Sequence, residues 1–345
     1  MSGVIVAGTD GSVGAAAAVR WAADDASRRG LRLHLVHAVT GTSFRDEDGE
    51  LVLAEAARVA ARYAGASAVT TELAEGPPDE VLRERAAGAA EVVLGGHGAG
   101  VLPGSLVGSV PLRVAGHVAG VVVVTRLRQV PGYGESTGPP PGSSSGGPVD
   151  PYGMGLDDPY GIAFGDLGGG QVGRIVVGAR EERTGEEGAG EPGEGEPALE
   201  FAFEQARLRG RPLLVVHAHP VRPTTSRPPA PGSPEPGAVA GGRRGPGPSA
   251  PGAREPGGFL GARAVDVEEW HGEERLAGWR KRYPDVTVTC EVTRCPPVPA
   301  LVAASTRAAL LVVGSRGLGP VGSLLLGSVS RSVLHHARCT VAVAR

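Results

Sequence analysis

The residues best suited to chemistry lie in two glycine-rich segments of similar spacing. One is GGHGAGVLPGSLVGS, residues 95–109, and the other is GSRGLGPVGSLLLGS, residues 314–328. Both contain the spacing G-x-x-G-x9-G-[ST], and a helical pattern begins at the last glycine. Glycine lets a backbone approach a ligand closely, and the N–H groups and dipole of a helix N-terminus favour phosphate oxygens. The spacing therefore predicts a phosphate-binding loop in each half of the chain.

Two other glycine motifs fit these segments poorly. The Walker motif requires a lysine after its last glycine, and neither segment has one. A dinucleotide fingerprint, G-x-G-x-x-G, occurs at Gly317, Gly319 and Gly322. It should follow the first strand of its domain and be answered by an acidic residue about 20 positions later. It follows a late apolar run instead, and no acidic residue comes after it. A redox dinucleotide enzyme is therefore disfavoured.

The elements that position these segments alternate between strands and helices. Five short apolar runs predict strands at 3–8, 31–39, 67–76, 91–96 and 120–126. Strands that read as continuous apolar runs between helices indicate a parallel sheet covered on both faces. The pattern then restarts, with strands predicted at 172–179, 211–219, 285–292, 309–314 and 338–345. The sequence therefore predicts two Rossmann-like α/β domains, each with a five-stranded parallel sheet and helices on both faces.

Glycine and proline, 56 and 30 of the 345 residues, concentrate outside these elements. Residues 128–171 lack periodicity, which predicts a disordered linker between domains at 1–127 and 172–345. Two low-complexity insertions are predicted in the second domain, at about 181–197 and 220–262. The surplus of these two residue types is thus explained by the linker and the insertions.

Composition and charge exclude several classes of protein. The net charge of −3 gives no basic face for nucleic acid. Cys290, Cys295 and Cys339 are an odd number and match no zinc spacing, so we expect free thiols in a reducing compartment. No apolar run approaches the roughly 20 residues that span a bilayer. We therefore expect a cytoplasmic protein without a membrane or nucleic-acid partner.

The paired glycine segments, together with the closing sequence GSVSRSVLHHARCTVAVAR at 327–345, resemble the universal stress protein family. Nucleotide-binding members of that family carry G-x-x-G-x9-G-[ST] after the fourth strand. The resemblance covers about 1–126 and 172–345 without the insertions, and it implies two domains of the adenine nucleotide alpha hydrolase-like type. It also implies ATP, with or without Mg²⁺, as the ligand. In relatives the last strand joins domains into dimers, which implies an internal pseudo-dimer through 120–125 and 340–344. A homodimer of the tandem chain and unidentified protein partners stay open.

The predicted ATP site of the first domain consists of Asp10, Ala38, Gly95, Gly98, Gly108 and Ser109. The matching aspartate in relatives faces the adenosine, and the backbone at the position of Ala38 recognises adenine. The alternative roles are structural: Asp10 and Ser109 are also good helix caps, and the glycines also suit turns. His37, beside Ala38, is interpreted as a packed or partly exposed histidine rather than a catalyst.

The predicted site of the second domain consists of Ala218, Gly314, Gly317, Gly327 and Ser328. It departs from the first at Arg180, which stands where the first domain has Asp10. An arginine there removes the carboxylate and obstructs a nucleoside, or else contacts phosphate. Arg316 either reaches phosphate or points to solvent. The sequence therefore predicts ATP binding mainly in the first domain.

Two hypotheses about function follow. The first is a nucleotide-dependent stress or signalling module that is not an enzyme, beyond slow ATP hydrolysis, because no hydrolytic triad, metal cluster or carboxylate pair is visible. The second is a scaffold that binds no nucleotide and recruits protein partners through its acidic and proline-rich insertions.

Overall fold

The computed structural model describes residues 3–40, 46–64, 68–96, 107–126, 173–179, 196–218, 272–315 and 326–345. In the first half, the elements are β1 Val4–Gly8, α1 Val13–Arg29, β2 Arg32–Val39, α2 Asp46–Ala64, β3 Val69–Glu75, α3 Pro78–Arg85, β4 Glu91–Gly95, α4 Ser109–His117 and β5 Val122–Thr125. In the second half, they are β6 Arg174–Ala179, α5 Pro197–Arg209, β7 Leu213–Ala218, α6 Gly272–Arg282, β8 Val288–Thr293, α7 Pro297–Ser305, β9 Ala308–Gly314, α8 Ser328–His336 and β10 Thr340–Ala344.

The ten strands form one sheet in the order β3-β2-β1-β4-β5-β10-β9-β6-β7-β8. Neighbouring strands within each half are parallel, as their apolar sequences predict. The halves meet where β5 and β10 pair antiparallel, with Val341 opposite Val124 and Val343 opposite Val122. The two predicted five-stranded sheets are therefore present, joined edge to edge through their last strands.

Helices cover both faces of the sheet and enclose two apolar cores. Helices α1, α2, α5 and α6 pack on one face, where Trp21, Phe203 and Trp279 are almost fully buried. Helices α3, α4, α7 and α8 pack on the other face, where Leu82, Val114, Leu301 and Leu334 contact the strands. Each core runs through both halves, because the sheet beneath it is continuous.

The first helix of each half ends at a glycine. Gly30 after α1 and Gly210 after α5 have φ angles of 64° and 57°, and their N–H groups cap carbonyls of the last helical turn. A side chain at either position would be strained in this left-handed conformation. The two helices therefore end equivalently, at positions 180 residues apart.

The predicted elements agree with the structure, with small corrections at their ends. The helical pattern of the sequence predicts the first two helices at 11–30 and 50–64; the first begins at Val13 and the second at Asp46. The first insertion is predicted to reach about residue 197, but Pro197 is already the first residue of α5. This position suits proline, because the first N–H groups of a helix need no intrahelical partner. The predicted linker at 128–171, the insertion at 220–262 and the rest of the first insertion lie outside the described residues, apart from Glu196.

Within the described ranges, no helix combines the length and the apolar character that crossing a membrane requires.

Candidate functional site

The carboxyl end of β1 continues into a tight turn that carries Asp10. Gly11 has a φ of 77°, and the N–H of Ser12 donates to Oδ1 of Asp10 at 3.0 Å. Ser12 is the N-cap residue of α1, since its Oγ accepts from the N–H of Ala15 at 3.1 Å. The alternative role of Asp10 as the helix cap is therefore wrong: it braces the turn, and Ser12 caps the helix. The Asp10 carboxylate is held at an exposed position over the end of the sheet.

The end of β2 lies beside this turn. The N–H of Thr9 donates to the carbonyl of Val36 at 2.9 Å, so Val36 directs its hydrogen bond towards β1. Successive residues of a strand direct their backbone N–H and C=O groups to alternate sides. Ala38 therefore directs its groups towards the β1 side, as Val36 does, but it lies two residues beyond the last residue of β2 that pairs with β1. His37 is partly exposed, and its Nδ1 donates to the carbonyl of Thr9 at 2.7 Å. The histidine thus supports the turn, in line with a non-catalytic interpretation.

The predicted phosphate loop of the first half is closed by two backbone hydrogen bonds. The N–H of Gly96 donates to the carbonyl of Thr125 at 2.9 Å, and the N–H of Gly108 donates to the carbonyl of Gly96 at 2.8 Å. Gly108 is the N-cap residue of α4, so the closure holds the N-terminus of α4 at the carboxyl end of β4. Gly108 and Ser109 therefore come together with the end of β4, while Gly98 lies outside the described residues.

Gly95 has a packing role that its spacing does not reveal. A Cβ added at Gly95 would lie 2.6 Å from the carbonyl carbon of Gly14 and 2.8 Å from the N of Ala15. Both atoms belong to the backbone of the first turn of α1, which has no room to move aside. The absence of a side chain at Gly95 therefore lets β4 pack against α1.

One basic residue near the loop was missed by the sequence analysis. Arg113 lies one turn after Ser109 in α4, and its Nη2 donates to Oγ of Ser109 at 3.2 Å. Its Nε lies 3.7 Å from Oδ2 of Asp79, and the side chain is 56% exposed. The i, i+4 spacing from a loop serine to an arginine is the signal that could have identified it. The Arg113 guanidinium adds a positive charge beside the N-terminus of α4, which further favours an anion there.

The second half repeats the loop closure. The N–H of Ser315 donates to the carbonyl of Ala344 at 2.9 Å, and the N–H of Gly327 donates to the carbonyl of Ser315 at 2.9 Å. Gly327 is the N-cap residue of α8, and Ser328 is its first residue. The structure therefore brings Gly327 and Ser328 to the end of β9, just as it brings Gly108 and Ser109 to the end of β4.

The surroundings of this second loop differ from those of the first. Gly314 is exposed, and an added Cβ would meet no atom of the described residues within 4 Å. Helix α5 begins at Pro197, about one turn later than its counterpart α1, and follows Glu196 instead of a serine. Ser332 takes the position that Arg113 has in the first half. Ala218 ends β7, and Gly317, Arg180 and Arg316 lie outside the described residues.

A small, mainly apolar cleft borders the β1 turn in the first half. It lies between α1 and α2 and is lined by Thr9, Ser12, Ala16, Val52, Glu55 and Val59, among other residues. The polar turn around Asp10 thus has an apolar surface beside it.

Neither metal ligands nor disulfides contribute to this site in the described part of the chain. There, histidine, cysteine, aspartate and glutamate side chains form no group of three or more that could hold a metal ion. Cys290, Cys295 and Cys339 form no disulfide with one another, and Cys339 is buried.

Comparison with known proteins decides the family. The model of the universal stress protein family matches residues 1–126 and 189–345, well over half of the chain. The chain belongs to the universal stress protein family. Its two matched segments and the repeated loop closure show a tandem member, as the resemblance implies.

Similar universal stress proteins span nearly the whole chain. One from Mycobacterium tuberculosis (strain H37Rv) is 30% identical over 359 residues, covering 99% of this chain and 96% of its own length. A second from the same strain is 27% identical over 372 residues, again covering 99% and 96%. A crystal structure of a universal stress protein from Archaeoglobus fulgidus covers 99% of this chain and 96% of its own, with a TM-score of 0.54 and 16% identity. That structural likeness supports the fold.

Proposed function

We propose that this universal stress protein binds an adenine nucleotide, ATP with or without Mg²⁺, mainly in its first domain. It acts as a nucleotide-dependent stress or signalling module of the cytoplasm rather than as an enzyme, with at most slow ATP hydrolysis. The proposal includes the division into domains at 1–127 and 172–345 joined by a linker. Membership of the family supports this proposal, and the geometry of the first half supplies the specific argument for it.

The observation that carries the proposal is the loop closure between Gly96 and Gly108. Its 2.8 Å hydrogen bond fixes the N-terminus of α4 at the carboxyl end of β4. Strands β1 and β4 are neighbours, with Ala7 opposite Val93, so the Asp10 turn lies at the same edge of the sheet. In open α/β sheets, ligands bind at this edge where the strand order reverses, and here β2 and β4 flank β1.

The two ends of a nucleotide find different partners at this edge. The N–H groups at the start of α4, the hydroxyl of Ser109 and the guanidinium of Arg113 favour phosphate oxygens. The carboxylate of Asp10 suits ribose hydroxyls, which can donate to it. The backbone groups of Ala38 suit the edge of a base.

Three differences between the halves favour the first domain. The second half has Arg180 in place of Asp10 and Ser332 in place of Arg113. It also begins its first helix about one turn later, behind Glu196, so a different residue and helix position replace the Ser12 cap there. We therefore expect weak ATP binding, or none, in the second domain.

Calorimetric titration with ATP and Mg²⁺ tests the proposal. We expect one strong site per chain, and at least a tenfold loss of affinity, about 1.4 kcal/mol, in the Gly98→Ala/Gly108→Ala variant. Gly108 has an ordinary φ of −71°, so alanine there does not strain the backbone. The matched control is Gly317→Ala/Gly327→Ala, which should bind ATP as the wild type does. Asp10→Asn should weaken ATP but leave binding of inorganic triphosphate unchanged.

The outcomes separate the two hypotheses of function. No heat from the wild type with ATP, ADP or AMP would contradict nucleotide binding and favour the scaffold hypothesis. Equal losses in the two glycine variants would contradict the assignment to the first domain. A steady-state phosphate-release assay at saturating ATP should show at most slow turnover, and rapid turnover would contradict the non-enzymatic role.

A further inference from the structure

Helices α1 and α5 meet across the junction between the halves through two equivalent residues of different chemistry. Asp25 in α1 and Gln205 in α5 occupy the same position, 180 residues apart, and both are 0% exposed. Nε2 of Gln205 donates to Oδ1 of Asp25 at 2.9 Å. We call Asp25 and Gln205 the axis pair, because the pseudo-twofold relation between the halves exchanges their positions.

Two equivalent arginines converge on the single carboxylate of the axis pair. Nη2 of Arg209 lies 3.0 Å from Oδ1 of Asp25, and Nη1 of Arg29 lies 3.3 Å from Oδ2. Nε of Arg209 also donates to Oε1 of Gln205 at 2.7 Å. The carboxylate thus accepts from the amide of one half and from guanidinium groups of both halves. A buried charge is tolerated when it is paired and hydrogen-bonded in this way.

Around the axis pair, the arginines also bind each other's half. Nη1 of Arg209 lies 2.7 Å from Oδ2 of Asp24, and Nε of Arg29 lies 3.6 Å from Oε1 of Glu204. Asp24 and Glu204 are again equivalent positions. This outer pair of contacts is symmetric in charge and would form between any two halves. It holds the halves together without deciding which halves pair.

A second asymmetry lies directly behind the axis pair. In the first half, Nε1 of Trp21 donates to Oε1 of Glu91 at 3.1 Å, and Glu91 is 1% exposed. The second half has Phe201 and Leu310 at the equivalent positions, and both are buried. At these equivalent buried positions, the first half therefore has acidic groups where the second half has an amide and an apolar group.

These differences determine which combinations of two halves give every buried charged or polar group a partner. Two first halves would place two Asp25 carboxylates face to face at the axis, with two copies each of Glu91 and Arg29 beside them. Two second halves would bury two copies of Gln205 and Arg209 with no carboxylate between them. A first half with a second half places one carboxylate between two guanidiniums and one amide, as the structure shows.

We propose that the axis pair makes the junction selective: the α1 face of the first half accepts the α5 face of a second half and rejects another first half. A single charge at the axis, rather than the strand pairing between β5 and β10, then chooses the partner. The ladder between those two strands consists of backbone hydrogen bonds and valine and alanine side chains, which do not discriminate between halves. Such a like-charge clash against the wrong partner is a common source of specificity.

A double-mutant cycle in the full-length chain tests this proposal. Gln205→Asp places two carboxylates at the axis, and Asp25→Gln leaves two amides between two guanidiniums. We expect each single variant to lower the urea midpoint of unfolding. The exchanged variant, Asp25→Gln/Gln205→Asp, has the amino-acid composition of the wild type and one carboxylate at the axis. It should recover at least half of the larger single loss.

The same variants test the choice of partner by light scattering. Gln205→Asp and Asp25→Gln chains are each mismatched within themselves, but a first half of either matches the second half of the other. Refolded together from urea, they should form a 1:1 dimer, whereas the exchanged variant refolded with wild type should not. Additive losses in the cycle, or co-refolded chains whose mass equals that of the chains refolded separately, would overturn the proposal. A Gln205→Asp chain that fails to fold leaves the exchanged variant to decide, and an exchanged variant that also fails would overturn the proposal.

Discussion

Arg126 and Arg345 make reciprocal contacts across the junction between the halves. Arg345, which follows β10, donates from Nη2 to the carbonyl of Gly116 in α4 at 2.7 Å. Arg126, which follows β5, donates to the carbonyl of Leu334 in α8. The last carbonyls of a helix lack intrahelical partners, and the helix dipole attracts cations there. Each half thus supplies the cation that stabilises the last helix of the other.

Arg345→Ala should therefore destabilise the whole chain and not only its last strand. We expect the free energy of unfolding to fall by about 2 kcal/mol, the usual contribution of a hydrogen bond that involves a charged group. Urea denaturation followed by circular dichroism measures this change. The control is Arg338→Ala, at an exposed position before β10, which should stay within about 0.5 kcal/mol of the wild type. Equal effects of the two substitutions would contradict the reciprocal arrangement.

Ser12 should contribute to stability as the N-cap of α1. Because its Oγ accepts from the N–H of Ala15, Ser12→Ala should lower the free energy of unfolding by about 1 kcal/mol. Ser12→Thr keeps the hydroxyl and should retain most of that stability. Thermal or urea unfolding of the three proteins compares these values. An alanine variant as stable as the threonine variant would show that the cap is unimportant.

Gly95 and Gly314 occupy equivalent positions, but substitution by alanine should destabilise the protein at Gly95 and have little effect at Gly314. The new Cβ at Gly95 would overlap the backbone of Gly14, at 2.6 Å, whereas at Gly314 it meets nothing within 4 Å in the part of the chain that the structure describes. Gly95→Ala should therefore cost about 1–3 kcal/mol, as overpacking does, and Gly314→Ala should stay within about 0.5 kcal/mol. Chemical denaturation of both variants gives the comparison. Similar costs at the two positions would contradict the structural role assigned to Gly95.

Glu91 should make the stability of the chain fall as the pH rises. Burial, followed by the neighbouring Asp25 carboxylate, raises the pKa of Glu91 well above its usual value, although Nη1 of Arg29 lies 3.4 Å away. The folded chain then keeps a proton that the unfolded chain has lost. Stability should therefore decline from the usual glutamate pKa, about 4.3, up to the raised value.

The comparison variant for this pH effect is Glu91→Gln, which is neutral at every pH and can still accept from Trp21. Urea midpoints measured between about pH 5 and 9 should decline more steeply in the wild type than in the variant. Parallel pH profiles for the two proteins would contradict the raised pKa.

The strands and the repeat can be predicted well from the sequence, because a strand that is buried on both faces consists of a continuous run of apolar residues. The N-cap residue of α1 is harder to predict, because Asp10 and Ser12 are both good cap residues. The turn at Gly11, with its positive φ, decides which of the two caps the helix. The contact between Gly95 and Gly14 arises from the packing of two backbone segments, and the spacing of residues in the sequence does not reveal it. The contact between Asp25 and Gln205 joins residues 180 positions apart, so it becomes visible only when the two repeats are folded.

The antiparallel pairing of β5 with β10 has a consequence for signalling. All strands of the first half run one way, and all strands of the second run the other way, so their carboxyl ends point to opposite edges of one sheet. The Asp10 turn and the N-terminus of α8 therefore lie on opposite sides of the molecule. A partner that docks over the N-terminus of α4 does not cover the N-terminus of α8. On the proposed function, a nucleotide bound beside the Asp10 turn would change one side and leave the opposite side available for a separate contact.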